Sequence, residues 1–247
     1  MKIREYIQVK PVGSTPDPAT FCPANGYIPN PINPADGWFL IAEFQTNSPN
    51  STTFDPNIAA NSGEYAWDLG DGTYLIGDKT VSHTYLTTAT RTVKLYGKGT
   101  CNITSLDFNS DNIVGELDLS NDAFIPLSAL SLHTNAELTS VIFPESVTGT
   151  VNALNIYSTG ITGNLDLSAF AKFTATAIIF LNSNPSMTGI TWASSITGTI
   201  AQLIIHTTGI TGTLDLSKFS SFTTSALINL HTNSALTGIT WASSISG

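Results

Sequence analysis

GITGNLDLS at 160–168 returns as GITGTLDLS at 209–217, and ITWASSITG at 190–198 returns as ITWASSISG at 239–247. Both pairs share a period of about 49 residues, which places this half of the chain among solenoids, propellers and arrays. A diverged earlier copy, IVGELDLS at 113–120 with VIFPESVTG at 141–149, extends the pattern. Each copy divides again. Leu203, Ile205, Ile210 and Leu214 mark the first half of the last copy, and Ile228, Leu230, Leu236 and Ile239 mark the second. The steps from Leu181 to Ile205 and from Ile205 to Leu230 are about 24–25 residues, one coil of a stacked solenoid. Within a coil, L-x-I or L-x-L alternation suits a short strand with every second side chain turned inward. Asn or Thr follows, then Leu/Ile-Thr-Gly, read as a corner where glycine takes the angles of a tight turn. Such a repeat argues for a binding surface and against a catalytic pocket.

The segments LHTNAELTSVIF (132–143), IYSTGITGNLDLS (156–168), LNSNPSMTGITW (181–192) and LHTNSALTGITW (230–241) share a corner of the form L-x-x-N-x-L-T-G-x-I. In this the chain resembles bacterial leucine-rich repeat proteins over about 102–247. The resemblance implies a stacked parallel ladder. Two departures matter: Thr159 and Thr208 replace the repeat Asn in alternate coils, and no long convex helix is encoded. An asparagine ladder is therefore expected only in every other coil.

Upstream, strand candidates at 38–45, 64–69, 73–77, 80–86 and 91–97 are separated by Gly-, Asn- and Asp-bearing turns. Short strands at this spacing suit a β-sandwich. YAWDLGDGT (65–73), VSHTY (81–85) and RTVKLYG (91–97) resemble the W-D-F-G-D-G-T, H-T-Y and V-x-L motifs of PKD domains, with Leu69 in place of the usual Phe. The resemblance implies an immunoglobulin-like fold and a structural, hydrogen-bonding role for His83. The chain as a whole reads as mainly β in three parts: a Pro-rich extended arm (1–36), a PKD-like β-sandwich (37–99) and a leucine-rich-repeat-like parallel solenoid (100–247).

Charge narrows the partners. Charged residues make up 11% of the chain and the net charge is −9, so nucleic acid and anionic membrane are not expected ligands. Beyond residue 102 the cationic side chains are Lys172 and Lys218, and Thr, Ser and Asn supply the polarity. The first residues, MKIREYIQVKPVG, lack the continuous apolar run of a secretory signal, and no stretch is long enough to span a bilayer. Pro11, Pro16, Pro18, Pro23, Pro29, Pro31 and Pro34 favour extended backbone from there to residue 36. This is read either as a linker or as an assembly arm in which Ile3, Tyr6, Ile7 and Val9 add a strand to a partner's sheet. Cys22 and Cys101 are either two thiols or a disulfide pinning the arm, and spacing alone does not place them within bridging distance.

Candidate sites are few. Asp68 and Asp71 close a turn through side-chain-to-backbone hydrogen bonds, or contribute carboxylates to a calcium site. His133, Tyr157, Asn182, His206 and His231 fall at one coil position and form a strip just after the strand, either a binding face or a solvated ridge. Trp192 and Trp241 recur beside Ile190 and Ile239, and are read as core or, if exposed, as a platform for sugar rings. Asp118, Asp166 and Asp215 recur in LDLS and signal repeat architecture. No catalytic constellation or cofactor motif is found in the sequence.

The expected function is therefore a non-enzymatic display protein of a phage virion exterior (tail, fibre or head decoration). The alternative is a bacterial cell-surface adhesin or glycan-binding protein, extracellular or on the cell surface. Expected partners are further subunits or other virion proteins, met through the arm and through the last coil. Gly247 closes that coil without a polar cap, so self-association is expected there.

Overall fold

The computed structural model describes residues 31–50 and 52–242. It is mainly β with almost no helix, and its C-terminal part is a β-solenoid of about six coils. A 3-10 turn, Pro34–Asp36, is capped by the Asn33 side chain and leads into β1 (Trp38–Thr46). Next come β2 (Asn57–Asp68), β3 (Tyr74–Ile76) and the long β4 (Arg91–Asp107). These four pair antiparallel in the order β3-β2-β4-β1. The 80–86 candidate does not become a regular strand: it touches the rest through bridges at Phe54–His83 and Asn57–Thr80. Trp67, Tyr65, Tyr85, Leu69 and Leu95 are buried in this part, with Trp67 packed near Phe108.

Strand β4 does not stop at residue 99. Its first half pairs with β1 and with the end of β2. Its second half pairs with the start of β2 on one edge and with β6 (Ala129–Ser131) on the other. One strand therefore belongs both to the N-terminal part and to the first coil. Its alternating buried residues Val93, Leu95, Ile103 and Leu106 join a single continuous core that runs through the whole solenoid. Strand β2, antiparallel along β4, covers the sheet edge that the first coil would otherwise leave open, the edge protection a solenoid needs at its end.

Each coil then contributes two strands. On the first face β6 is followed by β8 (Val151–Asn155), β10 (Phe173–Phe180), β12 (Ile200–Ile204) and β14 (Phe222–Asn229), all parallel and in one sheet with β4. The register aligns Leu106, Leu130, Leu154, Ile179, Leu203 and Ile228, which lie 24 or 25 residues apart along the chain as the Leu/Ile spacing predicts. Five of the six are almost fully buried, each contributing on the order of 1.5–3 kcal/mol of apolar burial. Ile228, in the last described coil, is only partly covered.

The second face is organised differently. Strand β5 (Ile113–Asp118) pairs with β7 (Glu137–Ile142), β9 (Gly163–Leu167) with β11 (Met187–Trp192), and β13 (Gly212–Leu216) with β15 (Leu236–Trp241). Between these pairs the ladder is interrupted. Backbone bonds from Thr162 N–H to Thr139 O and from Thr211 N–H to Thr188 O bridge the gaps. The antiparallel end of β1 joins β5 at Gln45–Val114 and Thr46–Ile113, so the N-terminal part also contacts this face.

The same pairing governs the buried polar groups. Asn184 Nδ2 donates to Leu181 O in its own coil and to Ile156 O in the preceding one, while its Oδ1 accepts from both the N–H and the hydroxyl of Thr159. Asn233 makes the same four bonds to Leu230, Ile205 and Thr208. Asn135 bonds Phe108 O, Leu132 O and Ile113 N–H. The asparagine thus recurs in alternate coils, as expected, and each one also satisfies the coil before it. The structural unit is two coils, tied by one asparagine and one second-face ladder, which explains a sequence period near 49 rather than 24–25 residues.

The expected glycine corner is found in every other coil: Gly115, Gly163 and Gly212, each ending an Ile-x-Gly, take φ between 70° and 75°. A further corner, directly after the first-face strand, is turned without glycine. Ser110, Thr134, Ser158, Ser183, Thr207 and Thr232, one per coil, sit in the left-handed region at φ between 54° and 62°. The glycines serve elsewhere in the coil. Gly212 opens β13 at φ 71° with open space around its missing Cβ, whereas a Cβ on Gly209 would run into the carbonyl oxygen of Pro185.

Candidate functional site

Inward residues such as Leu154, Ile156, Ile179 and Leu181 are buried, so their neighbours in the strand point outward by the period-2 rule. Three outward columns result across the first face. The first holds Ser105, Ala129, Ala153, Ile178, Gln202 and Leu227, and the second Asp107, Ser131, Asn155, Phe180, Ile204 and Asn229. The third holds Asn109, His133, Tyr157, Asn182, His206 and His231, with backbone bonds such as Thr134 N–H to Tyr157 O and Thr207 N–H to His231 O keeping the coils in step. Beyond Asp107 no column contains an Asp, Glu, Lys or Arg. Beyond Asp107 the face is uncharged, and its large apolar side chains, Ile178, Phe180, Ile204 and the 53% exposed Leu227, fall in the last three coils among Asn182, Gln202, His206, Asn229 and His231.

All five strip residues read from the sequence lie in the third column, brought together as one row. His133 stacks on Tyr157 at 4.4 Å and 6°, and His206 on His231 at 4.4 Å and 10°. Phe180 meets Tyr157 edge-on at 6.4 Å. Each imidazole Nδ1 is held by the hydroxyl of the next residue, at 3.0 Å to Thr134, 3.0 Å to Thr207 and 2.7 Å to Thr232. The left-handed Ser/Thr corner is what aims that hydroxyl back at the ring. Burial pushes the His133 imidazole below its ordinary pKa, and burial with the neighbouring His231 does the same to His206. Because the rings of each pair lie face to face, their edges, with imidazole Nε2 and the Tyr157 hydroxyl, are left for other contacts.

The other sequence candidates occupy separate places. Asp68 Oδ1 accepts from Gly70 N–H and Asp71 Oδ1 from Thr73 N–H, the turn-closing arrangement. Asp71 Oδ2 lies 2.8 Å from His83 Nε2. His83 therefore has an acidic partner that its sequence neighbourhood did not show, and its ring packs edge-on to Tyr85. Burial works to raise the Asp71 pKa, but the bonds from His83 and Thr73 outweigh it and hold the carboxyl below its usual value. Among the described residues no group of three or more His, Cys, Asp or Glu side chains is placed to hold a metal ion.

Cys101 is buried, with its thiol 3.8 Å from the carbonyls of Glu64 and Lys98, and burial raises its pKa. Cys22, and with it the pairing question, lies outside the described residues. So do Ile3, Tyr6, Ile7 and Val9 of the arm, and Gly247. Trp192 is 8% exposed and packs against Phe219, a core position; Trp241, on the last described strand, is 41% exposed and leans on Phe222.

No protein-family model, curated protein or solved structure matches this chain. The outer face is accordingly read from its own geometry. Sequence reasoning found its third column through the recurring His but missed Ile178, Phe180, Ile204 and Leu227, because alternation alone does not say which of two apolar neighbours in IIF or ALI points inward. Asp111 was missed as well. It occupies the coil position of Thr159 and Thr208, is 1% exposed, accepts from Asp55 N–H, and leaves Oδ2 buried without a partner. Burial pushes its pKa up to about 8.

Proposed function

We propose that this chain is a non-enzymatic display protein of a phage virion exterior whose solenoid carries a recognition face. The observation that carries the reading is the outer sheet, uncharged beyond Asp107, with its row of stacked rings, on a rod whose core is continuous from Ile41 to Phe222. Residues 37–99 are taken to be a PKD-like sandwich that docks the rod. The buried Trp67, the Asp68–Asp71 turn and the His83 bridge to Phe54 support this. The Pro-rich arm is assigned to contacts with neighbouring subunits, and the solenoid coils to a leucine-rich-repeat type. Immunogold labelling and peptide mass spectrometry of purified particles test the proposal: the chain is expected on the particle exterior. Its absence from particles refutes it, and label on the bacterial envelope would establish the adhesin reading, which the PKD-like turn favours.

A further inference from the structure

The ring edges adjoin the apolar residues of the first face. The third column lies two residues along each strand from the second, about 6.5 Å away, and coils follow one another at about 4.7–4.9 Å. Hydrogen-bonding edges from Tyr157, His206 and His231 thus form a rim beside an apolar floor made by Phe180 and Ile204, with the exposed Leu227 one column further out. Nδ1 of His206 and of His231 is engaged by the Thr207 or Thr232 hydroxyl, so further hydrogen bonding by these rings falls to Nε2.

We propose that this ledge binds a linear, neutral glycan running along the solenoid axis, one sugar per coil; the proposal rests on the recognition face assigned above. Three observations select this occupant. The rim is a line of hydroxyl and imidazole edges that both donate and accept, as a chain of hydroxyls requires. The face carries no charge beyond Asp107, so a polyanion gains no ion pair there. An extended β-1,4-linked hexose chain advances by close to one inter-strand distance per sugar with alternate units turned over, so its two-sugar repeat matches the two-coil unit of the solenoid. The stacked rings cover one another's faces, and so contact sugars with their edges.

The test uses the full chain and β-1,4-linked oligomers of glucose, N-acetylglucosamine and mannose, two to six sugars long, in calorimetric titrations. Affinity is expected to rise stepwise with length. Tyr157→Ala, His206→Ala and Leu227→Ser are each expected to weaken it at least tenfold, and Thr191→Ala on the second face to leave it unchanged. Leu227 is exposed, so its substitution separates binding from folding. No binding by any oligomer, affinity independent of length, or an equal loss in Thr191→Ala overturns the proposal. If ledge variants abolish attachment to cells while no oligomer binds, the display reading stands and the glycan falls. If oligomers bind but the chain is found on neither particles nor envelopes, the reverse holds.

Discussion

Replacing Asn184 by Ala removes the tie that joins the two coils of the middle unit. The side chain is fully buried and makes four hydrogen bonds, from Nδ2 to the carbonyls of Ile156 and Leu181 and to Oδ1 from the amide and hydroxyl of Thr159. The hydroxyl can turn elsewhere, but two carbonyls and one amide are left in an apolar interior that no water reaches without opening the corner. At about 1–1.5 kcal/mol for each stranded group, the substitution costs about 3–4 kcal/mol. Urea unfolding followed by circular dichroism, with the transition slope unchanged, measures this directly. Asn233, only partly buried, is expected to cost about half as much because water can reach its partners. In a double-mutant cycle with Thr159→Val the two positions are expected to couple by about 0.5–1.5 kcal/mol. A loss below about 1 kcal/mol for Asn184→Ala, or strict additivity in the cycle, would refute the two-coil unit.

Other substitutions test the corners and the buried acid. Thr207→Asn, at φ 57°, is expected to raise stability by about 0.5–1 kcal/mol, because Asn tolerates the left-handed region better than a β-branched residue; an unchanged melting temperature refutes the strain argument. Gly209→Ala, facing the Pro185 carbonyl, is expected to cost about 2–3 kcal/mol, whereas Gly212→Ala, with open space but φ 71°, costs about 1 kcal/mol. Equal losses would contradict that division. Asp111, with its folded pKa raised to about 8, keeps its proton in the native state where the unfolded chain releases it. Stability is thus expected to fall as pH rises from about 4 to 8; Asp111→Asn should flatten that slope, and the same slope in the variant overturns the assignment. Asp71 works in the opposite sense. Its depressed pKa contributes stability that is present above about pH 4 and lost as pH falls through the folded value, and His83→Ala should remove part of that acid sensitivity in an acid titration of stability.

Much of the solenoid was legible because its determinants are local and repeated. Leu154, Ile179, Leu203 and their equivalents declare a coil of 24–25 residues, and the alternation of Asn184 with Thr159 and Thr208 declares that neighbouring coils differ. What the asparagine bonds to was not legible, since its partners lie 25 and 28 residues away. The Ser/Thr corner went unseen for a related reason. Thr134 and Thr207 carry no intrinsic preference for positive φ, so a reader of turn chemistry looks to the nearby glycines instead. The continuity of β4 was hidden by Gly97 and Gly99, which read as the end of a strand but lie within a pairing that resumes at Asn102 and Ile103. Of the candidate site, the recurring His133, His206 and His231 gave the row. Its floor needed the side-chain directions that only the folded register supplies.

The pairing of coils carries a consequence for how such a chain changes length. An asparagine coil reaches back to a threonine coil, and a closed second-face ladder alternates with an interrupted one. Inserting or deleting a single coil would put two threonine coils or two asparagine coils in succession: the first leaves a buried threonine amide without its asparagine acceptor, and either breaks the alternation of closed and interrupted second-face ladders. Recombination that preserves the fold must therefore add or remove segments in even numbers of coils. The near-identity of GITGNLDLS and GITGTLDLS is what a gene grown by that parity rule would look like.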